Sequence, residues 1–264
     1  MTYPDPQMTP TQPTPQTDSM SPARIVTLVL TIVGVIALLF TILGGIAQGL
    51  RVPFFSNSEP PGPVSTDGVV EVEIDSSASD FTLQFAPVDE AELTVTGQGA
   101  GDWQMTREGE TLQVSPTRNT WWRWQGEGQG SAVALTLPES LQQSGISLDL
   151  SMAAGKFATE GAFTEVDAEV AAGTALFDLT DTREASFSLA AGSLSASLNG
   201  TPPTSVDVEV AAGAMNLSLP DTAYSLDQRI GAGTFSNGLR IDPASPNEIE
   251  VDLMAGSLTL TPIK

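Results

Sequence analysis

The strongest constraint on the fold is a short motif, Ala-Ala-Gly or a close variant, that recurs through the C-terminal part of the chain. Its glycines are Gly155, Gly173, Gly192, Gly213, Gly233 and Gly256. They lie about 20 residues apart, a spacing typical of repeat proteins whose units bury a hydrophobic core only by stacking on their neighbours. The chain therefore predicts a repeat architecture before it indicates any chemistry.

Apolar and polar residues alternate on both sides of these glycines. Residues 206–210 read Val-Asp-Val-Glu-Val before Gly213, and residues 215–219 read Met-Asn-Leu-Ser-Leu after it. An alternation of period two predicts β-strands with one buried and one exposed face. Each unit is then a strand, a small corner and a second strand, and the corner needs glycine because a sharp bend usually requires a positive φ. The fifth unit, residues 226–241, keeps the corner but blurs the alternation.

Two all-β architectures fit this pattern: a β-solenoid of about 20-residue coils, or a β-sandwich of stacked hairpins. We favour the β-solenoid because equivalent positions keep the same residue type, whereas a sandwich gives each hairpin different neighbours. Upstream of the repeat, short alternating runs predict further strands in an irregular N-terminal β region. These runs are 69–74, 81–85, 91–96, 111–114 and 132–137. Residues 69–264 are then predicted to form one β-solenoid domain.

A long uncharged segment precedes this domain. The chain carries no charge from Ile25 to Leu50, and Arg24 and Arg51 bracket this mostly apolar stretch. As an α-helix it would exceed the ~30 Å hydrocarbon core of a bilayer, so we predict a single transmembrane helix over residues 25–50. A cleaved signal peptide is the alternative, but its apolar region runs only ~7 to 15 residues and begins closer to the N-terminus.

The segments that flank this predicted helix have the composition of unfolded chain. Residues 1–24 form a Pro/Thr/Gln-rich tail, and residues 51–68 form a Pro-rich linker. The charge rule leaves the orientation undecided, because one arginine flanks each end of the helix. Since a short tail precedes the helix and a large acidic domain follows it, we expect a cytoplasmic tail and an extracellular C-terminal domain. The expected location is the cell membrane, crossed once.

The chain is strongly acidic, with 10 Lys and Arg residues against 32 Asp and Glu residues and a formal net charge of −22. Such a field repels phosphate, so we expect no nucleic-acid partner. Carboxylates recur at matching outward positions, such as Asp207 and Glu209, which raises structural cation binding as an alternative to solubility alone. No calcium-binding loop motif occurs, and we predict no metal site and no cofactor.

The sequence offers little for catalysis. It contains no histidine and no cysteine, which removes the commonest general base, the thiol nucleophile, the serine triad and nearly every zinc site. Paired carboxylates could still serve a glycan-active enzyme, but in alternating strands such pairs first of all form the solvated face. We therefore predict that the protein is not an enzyme and has no catalytic residues.

One aromatic cluster is the candidate binding surface. It consists of Trp121, Trp122, Arg123 and Trp124. Aromatic faces stack on sugar rings and anchor protein interfaces, so an exposed cluster would mark a contact with a glycan or a partner protein. The alternative is that the tryptophans cap the open end of the repeat, packed against Trp103 and Phe85.

Several short motifs follow the membrane anchor and the Pro-rich tether in a fixed order. They are Val-Val-Glu-Val-Glu-Ile at 69–74, Gly-Glu-Thr-Leu-Gln-Val at 109–114, Ala-Leu-Thr-Leu-Pro at 134–138 and the recurring Ala-Gly steps. This arrangement resembles the putative-adhesin domain family of bacterial envelope proteins, over about residues 69–264. The resemblance implies an all-β, solenoid-like domain with no known catalytic residues, sometimes attached to a membrane anchor and sometimes related to envelope-stress signalling.

Two functional hypotheses follow from the residues and the resemblance. The first is a membrane-anchored, cell-surface binding or scaffolding protein, adhesin-like and non-catalytic, whose partner would be a cell-wall glycan or a membrane protein. The second is an accessory regulator in envelope-stress signalling. A carboxylate-dependent glycan-active enzyme is the hypothesis that the sequence favours least.

Overall fold

A computed structural model describes residues 61–97, 103–117 and 131–263, and the chain in these ranges is mostly β-strand. The N-terminal strands are β1 (Glu71–Ala86), β2 (Glu92–Thr96), β3 (Trp103–Glu108), β4 (Thr111–Pro116) and β5 (Ser131–Pro138). The repeat supplies β6 (Ser147–Ala162), β7 (Glu165–Val170), β8 (Thr174–Thr180), β9 (Glu184–Leu189), β10 (Ser193–Asn199), β11 (Ser205–Val210) and β12 (Ala214–Pro220). The last strands are β13 (Ala223–Asn237), β14 (Arg240–Ile241) and β15 (Glu248–Ile263), and a 3₁₀-helix, Glu139–Gln143, lies between β5 and β6.

Strands from successive repeat units pair in parallel and in register. β7 pairs with β9 and β9 pairs with β11, while β8 pairs with β10 and β10 pairs with β12. The register aligns Val166 with Ala185 and Ala185 with Val206, so each buried position contacts the equivalent position of the next unit. The described fold is therefore all-β, as the alternation predicts, and its strands form two layers joined at the glycine corners.

Two long strands join these layers into a closed ring. β6 and β15 run unbroken through their glycine corners, so that each contributes its first half to one layer and its second half to the other. The hydrogen-bonded path runs β6, β7, β9, β11, β15, β12, β10 and β8, and it returns from β8 to β6. Eight parallel strands thus close on themselves, and the remaining strands lie outside the ring.

The predicted β-solenoid is wrong as a description of this fold. In a solenoid each unit is one coil that stacks on the next, whereas here the path of strand pairing closes because β6 and β15 continue through the corners. The alternative sandwich of stacked hairpins is also not observed, because successive units pair in parallel; among the described strands, antiparallel ladders join only β2 to β5 and β3 to β4.

The order of the units also departs from the order along the chain. β15, the last strand, pairs with β11 and β12 on one side and with β13 on the other, so β13 is displaced to the outside. Burial of apolar surface explains why β15, and not β13, takes the place next to β11 and β12. β15 places Ile249, Val251 and Leu253 in the core, each at most 1% exposed, whereas the inward positions of β13 include the polar Gln228.

The core is the space between the two layers. It is filled by the inward side chains of both, with aromatic rings forming a chain through its N-terminal part. Phe157 lies between Phe81 and Phe177, with ring centroids 5.9 and 5.4 Å apart, and Phe177 contacts Phe187 of the opposite layer at 5.4 Å. Aromatic pairs at these distances add to the stability gained from burial. The same rings fix the separation of the two layers.

The corner glycines lie directly on one another. At Gly192, where φ is +105°, an added Cβ would fall inside van der Waals distance of the carbonyl oxygen of Gly173. That carbonyl oxygen accepts a hydrogen bond from the backbone N–H of Ser193 at 2.9 Å. The backbones therefore approach as closely as hydrogen bonding requires, and only a residue without a side chain permits this approach.

The N-terminal end of the ring is covered by additional strands. β1 lies against β6, and its outer edge pairs with β4 and β5. Trp103 of β3 is 7% exposed and packs on Phe81 with ring centroids 5.7 Å apart. This end of the core is therefore closed.

The predicted membrane anchor finds no support in the structure. In the ranges that the structure describes, no helix has the length and apolar character needed to span a bilayer. The predicted transmembrane segment, residues 25–50, lies outside the described residues, as do the tail 1–24 and most of the linker 51–68. The predictions of a single-pass, integral membrane protein at the cell membrane with an extracellular C-terminal domain are corrected accordingly.

Replacing Gly192 by alanine tests the corner stacking. We expect Gly192→Ala to lower the free energy of unfolding by about 3 kcal/mol or more, because the added methyl group collides with the backbone of Gly173. Gly109 is the matched control: its φ is +67°, but an added Cβ would meet no atom within 4 Å. Gly109→Ala should cost only about 1–2 kcal/mol in urea unfolding, and equal losses for the two variants would contradict the stacking.

Candidate functional site

The outward side chains of the two layers differ sharply in chemistry. We call the layer formed by β7, β9, β11 and the first halves of β1, β6, β15 and β13 the acidic face. Its outward acids are Glu71, Glu73, Asp75, Asp149, Glu165, Asp167, Glu169, Glu184, Asp207, Glu209, Asp227, Glu248, Glu250 and Asp252. The opposite layer, the hydroxyl face, presents mainly short polar groups, among them Thr174, Ser193, Ser195, Ser197, Asn216, Ser218, Ser257, Thr259 and Thr261.

Parallel register places the acids in columns that cross the strands. Glu73 lies opposite Asp149, and Asp149 lies opposite Asp167. Neighbouring strands are about 4.8 Å apart, so these three carboxylates form an uninterrupted row of like charge. Beyond Ser186 of β9, the same row resumes with Asp207 and Glu250, on β11 and β15. Like charges directly opposite one another on adjacent strands are destabilising, so the face holds its acids at a cost in stability.

The crowding of charge shows in the titration of the carboxyl groups. The pKa of Asp149 is raised from 3.8 to about 6, first because its neighbours remove water from the carboxylate and second because Asp167 and Glu73 add negative charge. Loss of hydration and a neighbouring negative charge also raise the pKa values of other acids on this face. These are Asp75, Glu169, Asp207 and Glu209. The face therefore favours any positive charge that approaches it.

A shallow groove of about 300 Å³ crosses this face. At one end its floor is β9, whose outward residues Ser186 and Ser188 are short. The longer side chains of Asp207 and Glu209 on the neighbouring strand β11 form a wall beside this floor. On the other side of β9, β7 presents its own acids. The groove continues over β15 to Arg229 of β13. The lining of the groove therefore runs from the serines of β9, past the acids of β11 and β15, to Arg229, and the groove is open to solvent.

Arg229 marks the far end of the groove. Its guanidinium donates a hydrogen bond to a carboxylate oxygen of Glu250 at 2.7 Å, and both side chains are more than half exposed. An exposed pair of this kind contributes little to stability. It does neutralise one acid, so the acidic field is weaker at this end of the face than over β1, β6 and β7, where carboxylates lie side by side.

The four residues predicted as a binding surface, Trp121, Trp122, Arg123 and Trp124, lie outside the described residues, so their two interpretations stay predictions. Of the two residues expected beside them, Trp103 packs on Phe81, as described above. Phe85 packs against Phe163 with ring centroids 5.5 Å apart. The acidic face was visible in the sequence as matched outward acids, but its groove was not. The serines of β9 at positions that are acidic in β7 and β11 are the signal that could have revealed it.

The acids do not form a metal centre in the described part of the chain. Within residues 61–97, 103–117 and 131–263, no group of three or more Asp, Glu, His or Cys side chains is placed to hold a metal ion. The rows are extended along the sheet, whereas calcium requires about six to eight oxygens converging on one point.

Comparisons with known proteins give limited information. No protein-family model matches the chain, and no curated protein matches it either. Among solved structures, the chain is similar to a putative cell adhesion protein from Clostridium sporogenes, with 12% sequence identity and a TM-score of 0.40. The similarity covers 76% of this chain and 97% of the other. This similarity is distant.

The raised pKa of Asp149 makes a prediction about pH. A carboxyl group with a higher pKa in the folded state binds protons more tightly when folded, so stability falls as pH rises from about 4 through 6. Asp149→Asn should remove part of this fall and raise the melting temperature at pH 7. Glu160→Gln is the matched control, since Glu160 is an exposed acid on the second half of the same strand. Thermal melts at pH 5 and pH 7 measure both, and an Asp149→Asn variant no more stable than the control at pH 7 would contradict the electrostatic account.

Proposed function

We propose that this protein is a non-catalytic binding or scaffolding module, adhesin-like in action, whose acidic face binds a cationic partner. The observation that carries the proposal is the concentration of outward acids on one layer, in register, around a groove. Like charges held side by side reduce stability, and a bound cation relieves that repulsion. The absence of histidine and cysteine supports binding over catalysis. Cell adhesion is what the Clostridium sporogenes protein is named for, and the proposal for this chain does not draw on that name.

The geometry of the groove favours an extended polypeptide rich in lysine or arginine. Asp207 and Glu209 are two residues apart on β11, which corresponds to about 6.6 Å along a strand. Alternate side chains of an extended peptide have the same spacing. A peptide lying along the serines of β9 would therefore place a basic side chain at each acid of the wall, and its intervening residues would face solvent.

Two properties of such binding follow from electrostatics. Attraction between exposed charges is screened by salt, so affinity should fall as ionic strength rises. Protonated carboxyl groups cannot attract cations, so affinity should also fall at acidic pH, where the wall acids Asp207 and Glu209, whose pKa values are both raised, become protonated. A partner held by apolar contacts would show neither dependence.

Binding of a peptide with alternating lysine and serine residues tests the proposal. The double variant Asp207→Asn with Glu209→Gln should weaken binding by roughly tenfold at low salt, because one wall of the groove loses its charge. The matched control is Glu160→Gln with Asp178→Asn, which removes two acids from the hydroxyl face. Isothermal titration calorimetry of the full chain at pH 7.5 and pH 5, with and without added salt, measures the affinities.

The result expected is loss of affinity for the acidic-face variant alone, together with weaker binding at pH 5 and at high salt. Equal losses for the two variants would show that net charge, and not this face, attracts the peptide. Absence of measurable binding by the unaltered chain at low salt would overturn the proposal. Calcium that displaces the peptide at stoichiometric concentration would instead identify the face as a cation site.

A further inference from the structure

The two ends of the parallel stack are not equivalent. At the β1 end, the outer edge of the edge strand is covered by β4 and β5. At the other end, β14 pairs with β13 only at Ala223 and Tyr224. No strand among the described residues pairs with the outer edge of β13 from Ser225 to Gly231. In the part of the chain that the structure describes, one end of the stack is therefore covered and the other presents an open strand edge.

The direction of the backbone groups along this edge follows from two hydrogen bonds. The N–H of Ser225 donates to the carbonyl oxygen of Asn247, next to β15, while the carbonyl oxygen of Tyr224 accepts from Asp242 on the opposite side. Successive residues of a strand direct their backbone groups to opposite sides. The N–H and C=O groups of residues 226, 228 and 230 therefore point away from β15, toward the open edge. Unpaired groups of this kind are a template for pairing with another strand.

The same residues carry the inward side chains at this end of the core. Ile230 is 41% exposed, Gln228 is exposed, and Leu226 is only partly buried. Their partners on β15, by contrast, are buried. The core thus ends on a partly uncovered apolar layer, which another strand at the open edge would cover.

The charges on this strand are balanced, unlike those on the rest of the acidic face. From Ala223 to Ile241 the chain carries a single acid, Asp227, and two arginines, Arg229 and Arg240. Charges on an open edge usually oppose association, since identical strands bring like charges together. Here the two outward charges have opposite signs and lie symmetrically on either side of Gln228.

We propose that the open edge of β13 pairs with β13 of a second copy of this chain, antiparallel and centred on Gln228. In this register Gln228 lies opposite Gln228 of the second copy, and Leu226 lies opposite Ile230. Asp227 of each copy then lies opposite Arg229 of the other, on the outer face. The segment that this register pairs, Ser225 to Gly231, lies within the part of β13 that β14 leaves uncovered.

This register also provides hydrogen-bond partners for the backbone groups along the open edge. In an antiparallel ladder, residues whose N–H and C=O groups face each other exchange two hydrogen bonds. The outward-pointing residues 226, 228 and 230 lie opposite one another in this register, so each such group gains a partner. Asp227 and Arg229 occupy the intervening pairs, whose side chains lie closest together. Because the β1 end is covered, the same edge cannot add to it, and the contact closes as a two-fold dimer and does not extend into a fibre.

Cysteine cross-linking of the full chain tests this register, because the chain has no cysteine of its own. Gln228→Cys would place two sulfurs across the two-fold axis, where the Cα atoms of a hydrogen-bonded pair lie about 5.5 Å apart, within the range for a disulfide. Mild oxidation should convert Gln228→Cys to a covalent dimer on a non-reducing gel. Ile230→Cys alone should not form one, whereas Ile230→Cys combined with Leu226→Cys should.

Ser195→Cys on the hydroxyl face is the control for random collision. A dimer band for Gln228→Cys well above that of Ser195→Cys, with Ile230→Cys at the control level, is the result that the proposal predicts. Equal bands for all three single variants, or no band for Gln228→Cys, would overturn it. Thermal melts of each variant check that the chain is folded. Substitutions at these edge positions should leave it folded.

The charge pair supplies an independent readout in the Gln228→Cys background. Arg229→Asp should abolish the covalent dimer, because each Asp227 then faces an aspartate of the other copy. Adding Asp227→Arg should restore the band, since the opposite charges face each other again with their positions exchanged. A double variant that stays monomeric, or an Arg229→Asp variant that still cross-links fully, would contradict the two-fold register.

Discussion

The fold depends on the close approach of backbones at the glycine corners. The carbonyl oxygens of Gly173, Gly192 and Gly213 accept hydrogen bonds from Ser193, Ala214 and Ser257, at 2.8 to 3.0 Å. An added Cβ at the glycine of each next corner would clash with the carbonyl oxygen before it. This contact sets the register of the strands on both sides of the corner. The burial of the core and the rows of acids on the outer face both follow from that register.

The strands and corners could be predicted from the sequence because they are local. Alternation of apolar and polar residues identified strands, and the recurring glycines identified corners. The order of the units could not be read in the same way. It depends on a comparison between β13 and β15, in which the strand with Ile249, Val251 and Leu253 displaces the strand with Gln228 from the interior. The closed path of pairing likewise depends on strands that continue through Gly155 and Gly256, a property of tertiary packing.

The candidate site was also predictable from the sequence only in part. The outward acids were predictable from period two, since every second residue of a strand faces solvent. The raised pKa of Asp149 was not, because one of its causes, Glu73, is distant in sequence and becomes a neighbour only through the pairing of β1 with β6. The groove required knowledge that Ser186 and Ser188 lie between two acidic strands. The tryptophan cluster, residues 121–124, lies outside the described residues, so its role stays a prediction.

The acidic face and the open β13 end of the stack differ in charge. Negative charge is concentrated on one layer, while the open strand at the end is close to neutral, so another copy can approach the end without opposing the full field of the acidic face. Both properties require the parallel register that the corners impose. Native-state hydrogen exchange of the Ser193, Ala214 and Ser257 amides therefore tests the central claim most directly. The account predicts that these corner amides exchange only through global unfolding. Exchange as fast as that of the exposed turn at Gly109 would contradict it.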